Sequence, residues 1–239
     1  MIKLSKTWAR SFGFLLGTLI STCALAAPRP LVVELYTSQG CSSCPPADAL
    51  LGEIAARADV LALSFHVDYW DKFGWIDRFT LPAAKQRQFA YVRKFGQDWV
   101  YTPEMVIDGH IDLVGAGRQA LQSQLATPRS GVPVHIEARD AQVFISIDAA
   151  TGVEEGDVLL ISYQPNAVTA IAVGENAGRE LHEFNIVRSM VPLGHWTGSA
   201  AHWQVALKSF PAGASRVAVL LQQPGPGPII GAATATLRL

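Results

Sequence analysis

Two apolar runs, residues 31–36 and 60–67, are close to continuous, the pattern of strands covered on both faces in a parallel sheet. Between them Ala47, Leu50, Leu51, Ile54, Ala55 and Ala58 recur at helical spacing, with Asp48, Glu53 and Arg57 on the other face. This predicts a helix over 45–58 with one buried stripe. Pro45 and Pro46 suit its first turn, where backbone N–H groups have no intrahelical partner. A second helix is predicted over 82–95, with Thr80 as its N-cap and Gly96 ending it. Residues 104–107 and 111–114 flank Asp108-Gly109, a two-residue hairpin signal because both central positions accept positive φ. Residues 118–126 read as a third helix, so the predicted order is β-α-β-α-β-β-α.

The periodicity changes at Gly131-Val132-Pro133. Beyond it, short alternating runs at 134–138, 143–147, 158–163, 168–173, 203–207, 217–221 and 232–237 are separated by turn residues. The expected organisation is an α/β unit over 27–130, interrupted by an aromatic insertion at 68–81, and an all-β, sandwich-like unit over 131–239.

Residues 1–26 stand apart. Lys3, Lys6 and Arg10 precede an apolar stretch over 12–20 and the small-residue sequence Ala24-Leu25-Ala26, the pattern of a secretory signal cleaved near Ala26. It places the mature chain in the periplasm or outside a bacterial cell and discards Cys23. Cleavage takes three of the 19 basic residues and no acidic one, leaving a formal charge of −4. No basic run suggests nucleic acid, and no later segment reaches the roughly 20 apolar residues a membrane span requires.

The mature chain keeps two cysteines, Cys41 and Cys44, at the junction of the first strand and first helix. A helix N-terminus offers unpaired N–H groups and the positive end of the dipole, so a sulfur there ionises more easily. Three readings of the pair stand side by side. As a structural crosslink it closes the shortest practical loop and stabilises least. As a redox pair it needs no bound cofactor. As a soft-metal site for Cu(I) or zinc it would recruit His66 at the end of the second strand. His66 and Asp68 together could also shuttle protons to the thiols.

The element order, the CxxC after the first strand and Thr102-Pro103 before the third together resemble the thioredoxin superfamily. Residues 101–109 resemble the glutaredoxin version of its cis-proline loop. The resemblance implies that Pro103 faces Cys41 across a cis bond and that the backbone of Thr102 pairs with an extended peptide. More closely, Gln39–Asp48 by number 39–48, with the stretches 65–71, 174–179 and 185–188, is similar to a bacterial family of secreted thioredoxin-like proteins classed as domain of unknown function 1223. This implies a fold and redox chemistry, not a substrate. Serines between the cysteines and the tandem prolines depart from ordinary thioredoxins, and the prolines are expected to push Cys44 away from α geometry.

The expected activity is that of an exported thiol–disulfide oxidoreductase acting on protein or peptide thiols and disulfides. Cys41, the more exposed thiol, attacks, Cys44 resolves, and a redox partner recharges the pair. Trp70, Phe73 and Trp75 of the insertion would supply a lid or groove wall, or else pack only on one another. Glu175, Asn176, Arg179, Asn185 and Arg188 could reach the redox face or fix the interface between units. The alternatives are a periplasmic metal-binding protein using the same cysteines with His66, and a non-catalytic binding module.

Overall fold

The computed structural model describes residues 27–115 and 117–237. The secretory signal expected over 1–26, with Cys23, lies outside the described residues.

The near-continuous apolar runs form β2 (Leu31–Thr37) and β3 (Val60–His66), buried at every position after the short β1 (Ala27–Pro28). They pair in parallel from Leu31 and Val60 to Thr37 and His66, with α1 (Pro45–Ala55) as the crossover. α1 lays Ala47, Leu50, Leu51 and Ile54 against Val33, Leu35 and Ala62. The opposite face, with Tyr36, Leu63 and Phe65, is covered by Ala84 and Tyr91 of α2 (Pro82–Phe95). Leu81 rather than Thr80 is the N-cap of α2. The following proline holds Leu81 extended (φ −128°, ψ 118°), and the Thr80 hydroxyl donates to the Asp77 carbonyl instead.

β4 (Glu104–Ile107) runs antiparallel to β2, opposing Glu104 to Tyr36. It turns through Asp108 and Gly109 (φ 49° and 72°) into β5 (Ile111–Val114). α3 (Arg118–Leu125) follows, so the order β-α-β-α-β-β-α is present over residues 31–125.

The all-β segment does not build a separate sandwich. After β6 (Ser130–Gly131), which pairs with β1, the strands are β7 (Val134–Arg139), β8 (Gln142–Ile147), β9 (Gly156–Ala170), β10 (Glu180–Trp196), β11 (Ala201–Ala206), β12 (Arg216–Gln222) and β13 (Ile229–Thr236). Four of them continue the first sheet, giving eight strands in the order β13-β12-β9-β10-β3-β2-β4-β5. The other three, β11-β8-β7, form a small sheet whose Val143, Ile145 and Ile147 pack against Val217, Val219 and Leu221. The chain is thus a mixed α/β fold around one dominant sheet.

The seam between the halves is a single parallel register pair, Ile186 with Ser64, reinforced by Asn185, whose side-chain amide donates to the Ala62 carbonyl at 2.8 Å. β10 carries no legible strand pattern because Asn185 stands at positive φ (46°) and register shifts follow Val187 and Pro192. The runs predicted at 158–163 and 168–173 belong largely to one strand, β9. Beyond Tyr163 no β12 residue pairs with β9, so Pro165 sits on an edge where its missing N–H costs nothing.

Candidate functional site

Cys41 and Cys44 form a disulfide in the turn that carries the chain from β2 into α1. Cys44 is the N-cap and adopts αR geometry (φ −78°, ψ −36°), contrary to the expectation from the tandem prolines. The reason is a closed turn: its N–H donates to the Cys41 carbonyl at 3.2 Å, and its own carbonyl accepts from Ala47 at 2.9 Å and Asp48 at 3.1 Å. Pro45 has no N–H to offer the Cys41 carbonyl as a continuing helix would. Asn176 supplies that donor, its Nδ2 lying 2.9 Å from the Cys41 oxygen and 2.9 Å from the Gln39 oxygen.

Neither cysteine is open to solvent. Both are 0% exposed, which corrects the expectation that Cys41 is the more exposed thiol. Ser42 and Ser43 between them are exposed. The cover arrives from two sides. From the C-terminal half, Glu175 accepts from the Ser42 N–H at 3.2 Å and the Ser42 hydroxyl at 2.7 Å. Its neighbour Asn176 is buried and is steadied by Arg179, which donates to Asn176 Oδ1 at 3.1 Å. Gly174 and Gly178 (φ 87° and 79°) make the tight loop that presents both residues.

From the insertion, Trp70 packs so closely on Gly40 that a Cβ there would lie 3.0 Å from its own Cβ. The Trp70 indole donates to Thr102 Oγ1 at 2.8 Å, and the Trp75 indole donates to Gln39 Oε1 at 2.9 Å. Trp70 also packs on Phe73, with ring centroids 5.5 Å apart. The insertion therefore packs both on itself and on the loop that holds the disulfide. The Thr102–Pro103 bond is cis, and Trp70 bridges this loop and the cysteine loop.

On the α1 side of the sheet lies a buried polar cluster. His66 Nδ1 is 2.7 Å from the Asp77 carboxylate, which also accepts from the N–H groups of Gln39 (2.9 Å) and Phe79 (2.8 Å). The Gln39 amide donates to Thr169 and Glu183, and Thr169 donates to Glu183 at 2.8 Å. Burial would lower the His66 imidazolium pKa, but Asp77, Glu183 and Asp48 more than offset it and raise it. Burial would raise Asp77, yet the His66 charge and the two N–H groups hold it below the usual carboxylate range. Asp48, one turn beyond Cys44, is pushed up to about 7 by burial against the pull of His66. Glu183 is raised by burial as well. His66 Nε2 is buried without a partner. A groove of about 490 Å³ between α1 and β10, lined by Asp48, Gly52, Glu180, His182 and Phe184, runs beside the cluster.

The His66–Asp68 pair expected at the strand end is not formed. Asp68 lies beyond β3 and pairs with Lys85 at 2.8 Å, leaving His66 to Asp77. Arg188 sits in β10, bonded to Gln164 at 3.1 Å and 5.1 Å above the Phe79 ring, which in turn packs on His66. Among the described residues no group of three or more His, Cys, Asp or Glu side chains is arranged to hold a metal ion. The sequence reading missed Gln39, Asp48, Asp77, Thr169 and Glu183 as members of the site. Gln39 and Asp48 bracket the CxxC stretch at 39–48, which was a usable signal; Thr169 and Glu183 carried none.

Fold and site together define a mixed α/β protein whose dominant sheet holds a CxxC disulfide under a cover supplied partly by its own C-terminal half. The chain belongs to the family described as protein of unknown function (DUF1223), whose pattern matches residues 32–222. It is similar to a protein of Agrobacterium tumefaciens known from an X-ray crystal structure, with 30% identity over 88% of this chain and 95% of that one and a TM-score of 0.74. It also shares a fold with HBP35 of Porphyromonas gingivalis, at 14% identity over 89% of this chain and 76% of that one, with a TM-score of 0.59. No curated protein matches the sequence significantly.

Proposed function

We propose that the chain is an exported thiol–disulfide oxidoreductase of thioredoxin-like build, using Cys41 and Cys44 on protein or peptide thiols. The observation that carries this reading is the pairing itself: the disulfide spans three positions in sequence, and a loop that short contributes little chain-entropy stabilisation. Reactivity is the better account of two cysteines placed there. The exposed Ser42 and Ser43 mark where a client approaches. Exchange requires the cover to lift, and that cover is held in part by hydrogen bonds from Glu175, Asn176 and Trp70. Trp70, Trp75 and Thr102 then become contacts for the client. The resemblance stated from sequence, together with the element order over 31–125, supports the same reading.

The zero exposure of both cysteines favours a second reading, a binding module with an inert disulfide. Reduction of insulin and oxidation of a dithiol peptide, each compared with Cys41→Ser, separate the two. The oxidoreductase turns over in at least one direction and the variant does not. A disulfide that persists in millimolar dithiothreitol, with no turnover either way, establishes the binding module.

A further inference from the structure

Resting on the redox reading, we infer that the Cys41–Cys44 pair is an electron donor: its disulfide is the favoured state, it reduces client disulfides, and a dithiol reductant must recharge it. The inference comes from what is missing around the sulfurs. A cysteine at a helix start ionises readily because free N–H groups of the first turn face its thiolate. Here none is free. The Cys44 N–H is taken by the Cys41 carbonyl and the Ala47 N–H by the Cys44 carbonyl, while Pro45 and Pro46 at the first two helical positions have no N–H at all.

The neighbouring charges point the same way. Glu175 lies on Ser42, and Asp77 and Glu183 lie in the cluster on the α1 side that holds Gln39, two residues before Cys41. Against these carboxylates stand His66, held by Asp77, and Arg179, whose guanidinium is engaged by Asn176. A thiolate at Cys41 is therefore poorly supported, and the partner to Cys41 Sγ within reach is the neutral Ser43 hydroxyl at 3.4 Å. Pairs whose thiolate is strongly stabilised are the oxidants; where that support is lacking the disulfide is favoured.

The Cys41 thiolate attacks one sulfur of a client disulfide; the client S–S bond breaks, and the second client sulfur leaves as a thiolate and takes up a proton. Cys44 loses its proton and attacks Cys41 Sγ; the internal S–S bond forms, and the first client sulfur leaves and is protonated. The client gains two electrons and two protons, and the pair loses the same.

The full mature chain equilibrated with reduced and oxidised glutathione tests this, with thiolate ultraviolet absorbance of the reduced protein followed against pH. The expected result is that wild type stays mainly disulfide where a glutathione-poised pair would be half reduced. Glu175→Gln, and separately Pro45→Ala with Pro46→Ala, should each shift the equilibrium about three- to tenfold toward dithiol and lower the Cys41 ionisation midpoint, as removing a nearby anion or restoring helix donors does. A wild type that equilibrates mainly as dithiol, or variants that shift the other way or not at all, overturns the inference and leaves the redox reading standing. Failure of any exchange in wild type and variants alike removes both.

Discussion

Two buried polar clusters lie on opposite faces of the same sheet, and they are built differently. On the α2 face Glu34 is fully buried and takes a forked pair of bonds from Arg87, with Tyr91 donating to Glu34 at 2.7 Å and Gln222 accepting from Arg87 at 2.8 Å. Charges match and the cluster is closed by its own members. On the α1 face, carboxylates outnumber the one histidine, Asp48 is pushed up to about 7, and His66 Nε2 has no partner. A satisfied ion pair fixes a fold; a mixed, incompletely satisfied cluster beside a disulfide is the kind that exchanges protons. The closed cluster ties α2 to β12 through Gln222, whereas the open one meets the residues that hold the cysteine loop.

The sharpest way to break this contrast is to remove one partner of the closed pair. Arg87→Met strands the Glu34 charge in the interior and should cost about 3–5 kcal/mol. Urea unfolding should show this as a lower midpoint with little change in slope. Adding Glu34→Met should recover most of the loss, because the stranded charge is the source of the cost. A double variant as unstable as the single one would mean that the cluster contributes through shape and not through charge.

A smaller effect is expected at the cover. Asn176→Ala removes the donor for the Gln39 and Cys41 carbonyls and leaves both without it, a cost of about 1–3 kcal/mol. It should also speed alkylation of the reduced cysteines relative to wild type in the absence of denaturant, as read by a mass-tagged maleimide. Equal alkylation rates would show that Asn176 shapes the loop without closing it.

How far these features were legible depends on how local their causes are. β2, β3 and the Asp108-Gly109 hairpin follow from runs of adjacent residues, and the CxxC is a contiguous motif. β10 was missed because Asn185 takes positive φ and two register shifts destroy the period-two pattern that identifies a strand. With that strand unseen, the two halves read as separate units, although Ile186 joins β3 directly. The cover was half legible: the stretch 174–179 stood out as a motif, but nothing in it shows that Asn176 replaces the N–H that Pro45 lacks. Asp48 was assigned to the solvent face by helical periodicity, whereas its position four residues after Cys44 turns it toward His66 and β10.

The last test is a slope in the pH dependence of stability, which draws on titrating groups on both faces of the sheet. Asp48 in the folded chain binds its proton up to about 7 against an ordinary value of 3.8, so between those values the folded state holds more protons than the unfolded one. Stability then falls as pH rises through that window. The raised His66 imidazolium acts in the same direction: its contribution is whole below 6.5 and is lost as pH rises through the higher folded value. Glu104, raised to about 7 chiefly by burial, adds to the fall. Asp77, held low, works oppositely, with its contribution present above 3.8 and lost on further acidification. Unfolding midpoints measured across pH 4 to 8 should therefore be highest on the acid side of neutrality. Asp48→Asn should flatten the decline without abolishing it, since His66 and Glu104 remain. An unchanged slope in Asp48→Asn would place that carboxylate in solvent and reduce the α1-face cluster to His66, Asp77 and Glu183.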